Sequence, residues 1–269
     1  SNYAASLGIT SVTDLDAEDS LPIYERLAAA GKLKTRIYKC RPIFSAQREH
    51  RPDRALSMVR GGCVKAFVEG DEDRQQLTEM RNAVQKEFRS GRRILIHAIG
   101  EPANTEALSI LNSLASKAAD RVRIEHAHRA RRSTLWSAIQ SGYIFSVQPG
   151  LFFSRPGSST DEYRLILRKS GKLAFGSDAP MASFDPLDGI KAAVIASGLT
   201  VDEAVRAYTA GSAFAEFQEN VKGTIARGMA ADLIILSDDI SSIDPAMIGD
   251  VFVTTTIVDG RVVYEKSDK

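Results

Sequence analysis

The stretch "KLAFGSDAP" (172–180) decides how this chain is read. Leu173, Ala174 and Phe175 form a short apolar run that stops at Gly176, and Ser177, Asp178 and Pro180 follow at once. A run of that length bounded by turn residues reads as a buried strand. Standing alone, Asp178 would be a turn residue or a helix cap. Its meaning changes if polar groups arrive at the same end of other strands.

Six more strand-like runs precede it: "GITSVTD" (8–14), "KTRIYKC" (34–40), "CVKAFVEG" (63–70), "RRILIHAIG" (92–100), "RVRIEHAH" (121–128) and "YIFSVQPG" (143–150). Their spacing of roughly 20 to 30 residues is the repeat of βα units. Helical segments fill the gaps. Leu77, Met80, Val84 and Phe88 fall at helical spacing, as do Leu108, Leu111 and Leu114. "TVDEAVRAYTAG" opens with Thr200 and Glu203 in a capping-box pattern. Gly31, Gly91, Gly142 and Gly171 each follow a helical segment, where a terminating glycine belongs.

Continuous β/α alternation predicts a parallel sheet. No glycine-rich phosphate loop follows any strand, so a dinucleotide or P-loop fold lacks its main motif. Seven units fit a (β/α)₈ TIM-type barrel with one strand missing. From about Thr224 the pattern changes to β-rich segments with a hairpin signal at Asp259-Gly260. The expected division is a barrel over 1–222 and part of a small β domain over 223–269.

The chain has 269 residues, 43% hydrophobic, with 35 Lys+Arg against 34 Asp+Glu. That balance gives no electrostatic reason to expect nucleic acid or an anionic membrane as partner. No stretch approaches the roughly 20 apolar residues of a bilayer span. The first residues do not read as a signal peptide, and a cytoplasmic location is the expectation. Cys40 and Cys63 are the only cysteines and lack metal-type spacing, so no disulfide framework is expected.

In a parallel barrel all strands end at one face, where loops build the site. Four strand segments bring suitable chemistry there: Lys65 in "CVKAF", His97 ending "RILIH", His126 ending "RVRIEH" and Asp178 after "LAFGSD". Period-two alternation would place His126 on one face with Val122 and Ile124, and Glu125 opposite, toward the helices. Imidazole suits Zn²⁺, which in catalytic sites keeps a position open for water. A nearby carboxylate can take that water's proton and pass it to a leaving group. Asp178 is the candidate for that general base, also touching the metal. His128 reads as a loop residue near the ligands or the substrate. His50, in "AQREHRPDR", reads as solvated. Gln148, Phe152, Phe153 and Arg155 are candidate pocket residues for an apolar group beside an anionic one.

Taken in order, "VKAF", "HAIG", "IEHAH", "SVQP", "FGSDAP", "AVRAYTAGSAFA" and "KGTIARGMAADLIIL" resemble the amidohydrolase superfamily. The similarity is greatest to the branch of N-substituted formamide deformylases and related metal-dependent hydrolases. The resemblance implies a (β/α)₈ barrel with a small β-sandwich. It also implies hydrolysis of an amide-like C–N bond in a small molecule by water on one or two divalent ions, Zn²⁺ foremost. By that resemblance His97 and His126 are metal ligands, and Asp178 is both metal contact and general base. Lys65 matches a lysine that in such enzymes can be carboxylated and bridge two metals. The same resemblance makes "GITSVTD" the second strand. The family's strand-one His-x-His pair has no counterpart in these 269 residues, nor has the N-terminal half of the β-sandwich, and the stretch from Gly70 to Leu77 is shorter than in relatives. Weak or no metal binding and little activity are therefore the expectation for this chain.

Two other readings stand beside this one. A barrel that has lost its metal could serve as a binding or structural protein. A metal-free lyase could use Lys65 as a Schiff base. The sequence leaves oligomeric state open, a homo-oligomer among the options.

Overall fold

Parallel strands buried on both faces need long crossovers, and helices supply them here. In a computed structural model described for residues 1–45, 57–114, 122–152, 161–169 and 172–267, seven strands form one parallel sheet in chain order. They are β1 (Ser11–Asp14), β2 (Arg36–Pro42), β3 (Val59–Val68), β4 (Arg93–Ile99), β5 (Val122–His128), β6 (Ile144–Val147) and β7 (Leu173–Phe175). All seven expected strands are present in the expected order. β3 begins at Val59, before the expected Cys63, because Gly61 and Gly62 weaken its strand signature while Val59 still pairs with Ile37.

One face of the sheet meets the helices. Val64, Ala66 and Val68 of β3, Ile94, Ile96 and Ala98 of β4, Val122 and Ile124 of β5 and Phe145 and Val147 of β6 join a single apolar cluster with Val84, Phe88, Ile110 and Leu111. Val84 and Phe88 lie on the helix Arg74–Arg89, whose capping box pairs Asp73 with Gln76. The expected box at Thr200 and Glu203 opens the helix Val201–Arg206. The opposite, inner face carries Tyr38, Cys40, Cys63 and Leu95, and above them the polar groups of the site.

Cys40 and Cys63 form a disulfide, contrary to the sequence expectation. They are register partners on neighbouring parallel strands, with Cα atoms 4.7 Å apart. Strand pairing brings them together although 23 positions separate them, which spacing alone does not reveal.

After Val201–Arg206 the helix widens into a π-turn, Ala207–Gly211, and then continues through Ser212–Ala215. A Cβ on Gly211 would lie 2.2 Å from the Leu173 carbonyl oxygen, so the helix reaches the β7 backbone only because that side chain is absent. Ser212 Oγ donates to the Phe175 carbonyl at 3.0 Å. Buried Glu216 accepts from Arg60 and Lys222, both at 2.5 Å. Arg60 stands near the N-terminal end of β3, so this charge cluster supports the sheet away from the strand ends that carry the histidines.

A three-stranded antiparallel sheet follows, in the order β10-β9-β8: β8 (Leu233–Leu236), β9 (Val253–Val258) and β10 (Arg261–Glu265). Asp259 and Gly260 both have positive φ, 54° and 73°, as a two-residue type I′ hairpin requires. Buried Arg36 on β2 fastens this sheet to the parallel one. Its Nε and an Nη reach both oxygens of Asp232 at 2.7 and 3.0 Å, and Asp232 also accepts the Asp259 backbone N–H at 2.9 Å. Thr256 Oγ1 donates to the Ala5 carbonyl at 2.7 Å.

Two substitutions test this packing. Asp232→Ala removes the bidentate partner of the buried Arg36 guanidinium, leaving the longer Asp259 contact at 3.4 Å, and should cost up to about 3–5 kcal/mol of stability in urea unfolding. A loss below about 1 kcal/mol would remove the pair from that fastening role. Gly211→Ala should cost about 1–3 kcal/mol by overpacking against Leu173, and an unchanged midpoint would refute the close approach.

Candidate metal centre on the inner face

Parallel register stacks the inner-face side chains in rows. One row runs Lys65, Leu95, Arg123 and Ile144 across β3 to β6. The next, nearer the strand ends, runs Phe67, His97, Glu125 and Ser146. Residues two apart on each strand share this face, so Lys65 lies a row below His97.

Glu125 therefore faces inward rather than toward the helices, correcting the period-two reading. Val122 and Ile124 point into the helical layer, and Arg123 and Glu125 point away from it. His126 does not stay with Val122 and Ile124 either. His126 and Ala127 adopt left-handed backbone, φ 68° and 52°, and the register shifts at that point. The alternation breaks and the His126 ring joins the inner face. It meets His97 edge to face, with ring centroids 4.5 Å apart.

Left-handed backbone at non-glycine residues is costly and persists only where surroundings impose it. The loop after β4 imposes it here. Gly100 N–H donates to the His128 carbonyl at 2.8 Å, and Asn104 Nδ2 donates to the Gly100 carbonyl at 2.8 Å and to that of His128 at 3.3 Å. Glu101, at the start of the helix Glu101–Asn112, accepts the Arg131 N–H and, at 2.7 Å, the Thr134 hydroxyl. His128 is the last residue of β5 and is buried, where the sequence placed it in a loop.

The electrostatics follow from burial. His97 is pushed down to about 3 by burial, then by the adjacent His126 ring and Lys65. Its Nε2 lies 3.6 Å from Glu69, too far for a hydrogen bond, and the neutral ring makes no ion pair. Burial, followed by Lys65, also lowers His126. Both rings are neutral at pH 7 and can act as acceptors. Burial acts to raise Glu125, but Arg123, bonded to it, and Lys65 outweigh that and hold the carboxyl low. Burial brings the Lys65 amine down to about 8 against the opposing pull of Glu125. Its Nζ sits 5.1 Å from the Phe67 ring centroid and makes no hydrogen bond or ion pair among the described residues.

Asp178 stands on an exposed turn past β7, with φ 56°. Its carbonyl accepts the Met181 N–H at 2.8 Å. Its charge is felt at both Lys65 and His126. Gln148 is buried, and its Oε1 lies 2.6 Å from His126 Nδ1. Phe152 ends the short helix Pro149–Phe152, while Phe153, Arg155 and His50 lie outside the described residues.

The donor types suit a zinc ion, and two of them, His97 and His126, are already in contact. Among the described residues no three of His, Cys, Asp or Glu lie close enough together to hold a metal. Glu125, beside both rings, is the group the sequence reading set aside. The break in alternation at His126 leaves no signature in the sequence that could have found it.

Residues 2–264 match the amidohydrolase family. The chain is 27% identical to YtcJ of Bacillus subtilis, over 94% of this chain and 56% of that protein. It is 24% identical to an N-substituted formamide deformylase of Arthrobacter pascens, over 99% of this chain and 59% of that one. It thus spans just over half the length of these relatives. Its fold matches that of the atrazine chlorohydrolase TrzN of Arthrobacter aurescens, solved with zinc, at a TM-score of 0.71 and 19% identity, covering 98% of this chain and 70% of TrzN. Among the described residues no helix is long and apolar enough to cross a membrane. With the family matched along nearly its whole length and the parallel α/β sheet in place, the chain belongs to the amidohydrolase family.

Proposed function

We propose that this chain is the histidine- and aspartate-bearing part of a metal-dependent hydrolase that cleaves an amide-like C–N bond in a small molecule. One observation carries the reading: two buried, neutral imidazoles from neighbouring strands, His97 and His126, meet at 4.5 Å on the inner face of a parallel sheet. Two imidazoles buried beside a lysine cost more to desolvate than an apolar pair of the same size, which favours a chemical role over a purely structural one. The sheet is read as strands two to eight of a (β/α)₈ barrel within 1–222, with 223–269 contributing to a β-sandwich.

In this reading His97 and His126 would hold the metal, with Asp178 and Lys65, the latter carboxylated, as further contacts. Zinc is the ion favoured by imidazole ligands, and it is the metal named with TrzN. Bound there, a zinc ion would supply a water of lowered pKa and polarise the scissile carbonyl. Asp178 would take the attacking water's proton on its carboxylate and return it to the departing nitrogen. His128, Phe152, Phe153 and Arg155 are the residues that would border the substrate. Arg123 and Glu125 neutralise each other, so the inner face stays apolar enough to sharpen these charges.

A second reading draws on Lys65. An amine brought down to about 8, with no ion-pair partner among the described residues, can form a Schiff base. Borohydride reduction in the presence of a carbonyl substrate separates the two readings, since only the lyase yields a covalent adduct on Lys65.

The central test is elemental analysis of the purified protein, with N-substituted formamides as the first substrates assayed. Zinc, iron or manganese should be found. His97→Ala and His126→Ala should each lower metal content at least tenfold, in line with loss of a ligand. Asp178→Asn should keep the metal and reduce kcat by 10²-fold or more, the scale of a lost general base. A metal-free wild-type protein would overturn the reading, and unchanged turnover in Asp178→Asn would remove that residue from the base role.

A further inference from the structure

Gln148 came out of the sequence as a pocket residue. In the structure it is buried, and its amide engages a histidine rather than open space. The amide has a defined orientation. Gln148 Nε2 donates to the Ser146 carbonyl at 3.3 Å, and since a carbonyl can only accept, the amide nitrogen must face it. The amide oxygen then faces His126 Nδ1 at 2.6 Å. An amide oxygen has no proton to give, so Nδ1 must be the donor. In the neutral ring a proton on Nδ1 leaves Nε2 unprotonated, its lone pair in the ring plane.

We propose that Gln148 is a positioning residue that locks His126 in the Nδ1–H tautomer and thereby presents Nε2 as the metal-donor atom. The metal half of this statement rests on His126 being a ligand, as proposed above; the tautomer half stands on the hydrogen bonds alone. Three features combine in it. The left-handed backbone at His126 swings the ring inward, and the clamp from Gly100 and Asn104 on His128 holds that backbone. Gln148, just past the end of β6, then fixes the ring's rotation and its proton. Ligand histidines generally donate their second nitrogen to an outer acceptor, and loss of that acceptor typically costs 10- to 100-fold in metal affinity. A neutral amide is a weaker acceptor than a carboxylate, so it orients the ring while adding no charge to the inner face.

The test reads the tautomer directly, without metal. Long-range ¹H–¹⁵N correlation spectra of the ¹⁵N-labelled, metal-stripped protein resolve its four histidines, and the signal lost in His126→Gln assigns His126. In wild-type protein His126 should be protonated on Nδ1. Gln148→Leu should move the proton to Nε2, and Gln148→Glu, which keeps an acceptor, should return it to Nδ1. Zn²⁺ and Co²⁺ affinity, measured by competition with a chromophoric chelator, should fall 10- to 100-fold in Gln148→Leu and recover in Gln148→Glu. His126 protonated on Nε2 in the wild-type protein, or unchanged by Gln148→Leu, would overturn the inference. If the tautomer follows Gln148 while His126→Ala leaves metal affinity untouched, the positioning role stands and the ligand role of His126 falls. Because the wild-type spectrum alone decides the tautomer, a poorly folded Gln148→Leu protein would not rescue the idea.

Discussion

A β-strand sends successive side chains to opposite faces, and β5 obeys that rule until His126. Up to Glu125 the strand feeds the helical layer with Val122 and Ile124 and the inner face with Arg123 and Glu125. Two left-handed residues then reset the alternation, so Glu125 and His126, adjacent in sequence, both end up beside His97. Without that reset His126 would join Ala98 among the helices, and no pair of imidazoles would exist. The cost of the reset is met by neighbours outside the strand, Gly100 and Asn104, which hold the carbonyl of His128. The loop after β4 therefore shapes the end of β5, and the two strand ends form one mechanical unit.

Much of the architecture was legible because it is written in short-range chemistry. Short apolar runs at βα spacing marked all seven parallel strands, the Thr200–Glu203 pair marked a helix start, and Asp259-Gly260 marked the hairpin. Lys65, His97, His126 and Asp178 stood out because strand ends converge in parallel sheets. What escaped depends on backbone conformation or on strand register. Glu125 was assigned to the wrong face because alternation was carried one residue too far. Cys40 and Cys63 looked unrelated because register, not spacing, sets them side by side. Gln148 was read as a substrate contact because a hydrogen bond between ends of neighbouring strands, here to His126, leaves no mark in the spacing.

The inner face is electrically unusual without being highly charged. Lys65, Arg123 and Glu125 are all buried, yet only Arg123 and Glu125 are bonded to each other. Desolvation then acts on each remaining titratable group toward its neutral form: the two rings lose their protons and the lysine amine is weakened. The two neutral rings offer lone pairs, and the Lys65 amine, brought down to about 8, gives up its proton more readily than a free lysine. That is the condition under which imidazole and amine nitrogens act as donors to an electrophile.

The bond between Cys40 and Cys63 joins neighbouring strands below the Lys65 row and encloses the whole connection between them. That connection, which contains His50 and the basic "QREHRPDR" stretch, is thereby a covalent ring rather than an open span. A peptide bond cut anywhere within it still leaves one covalent molecule, held together at that point by the sulfurs alone. The two pieces separate only once the sulfurs are reduced. In topological terms, β2 and β3 are joined twice, and the sheet's continuity at that point does not depend on the backbone alone.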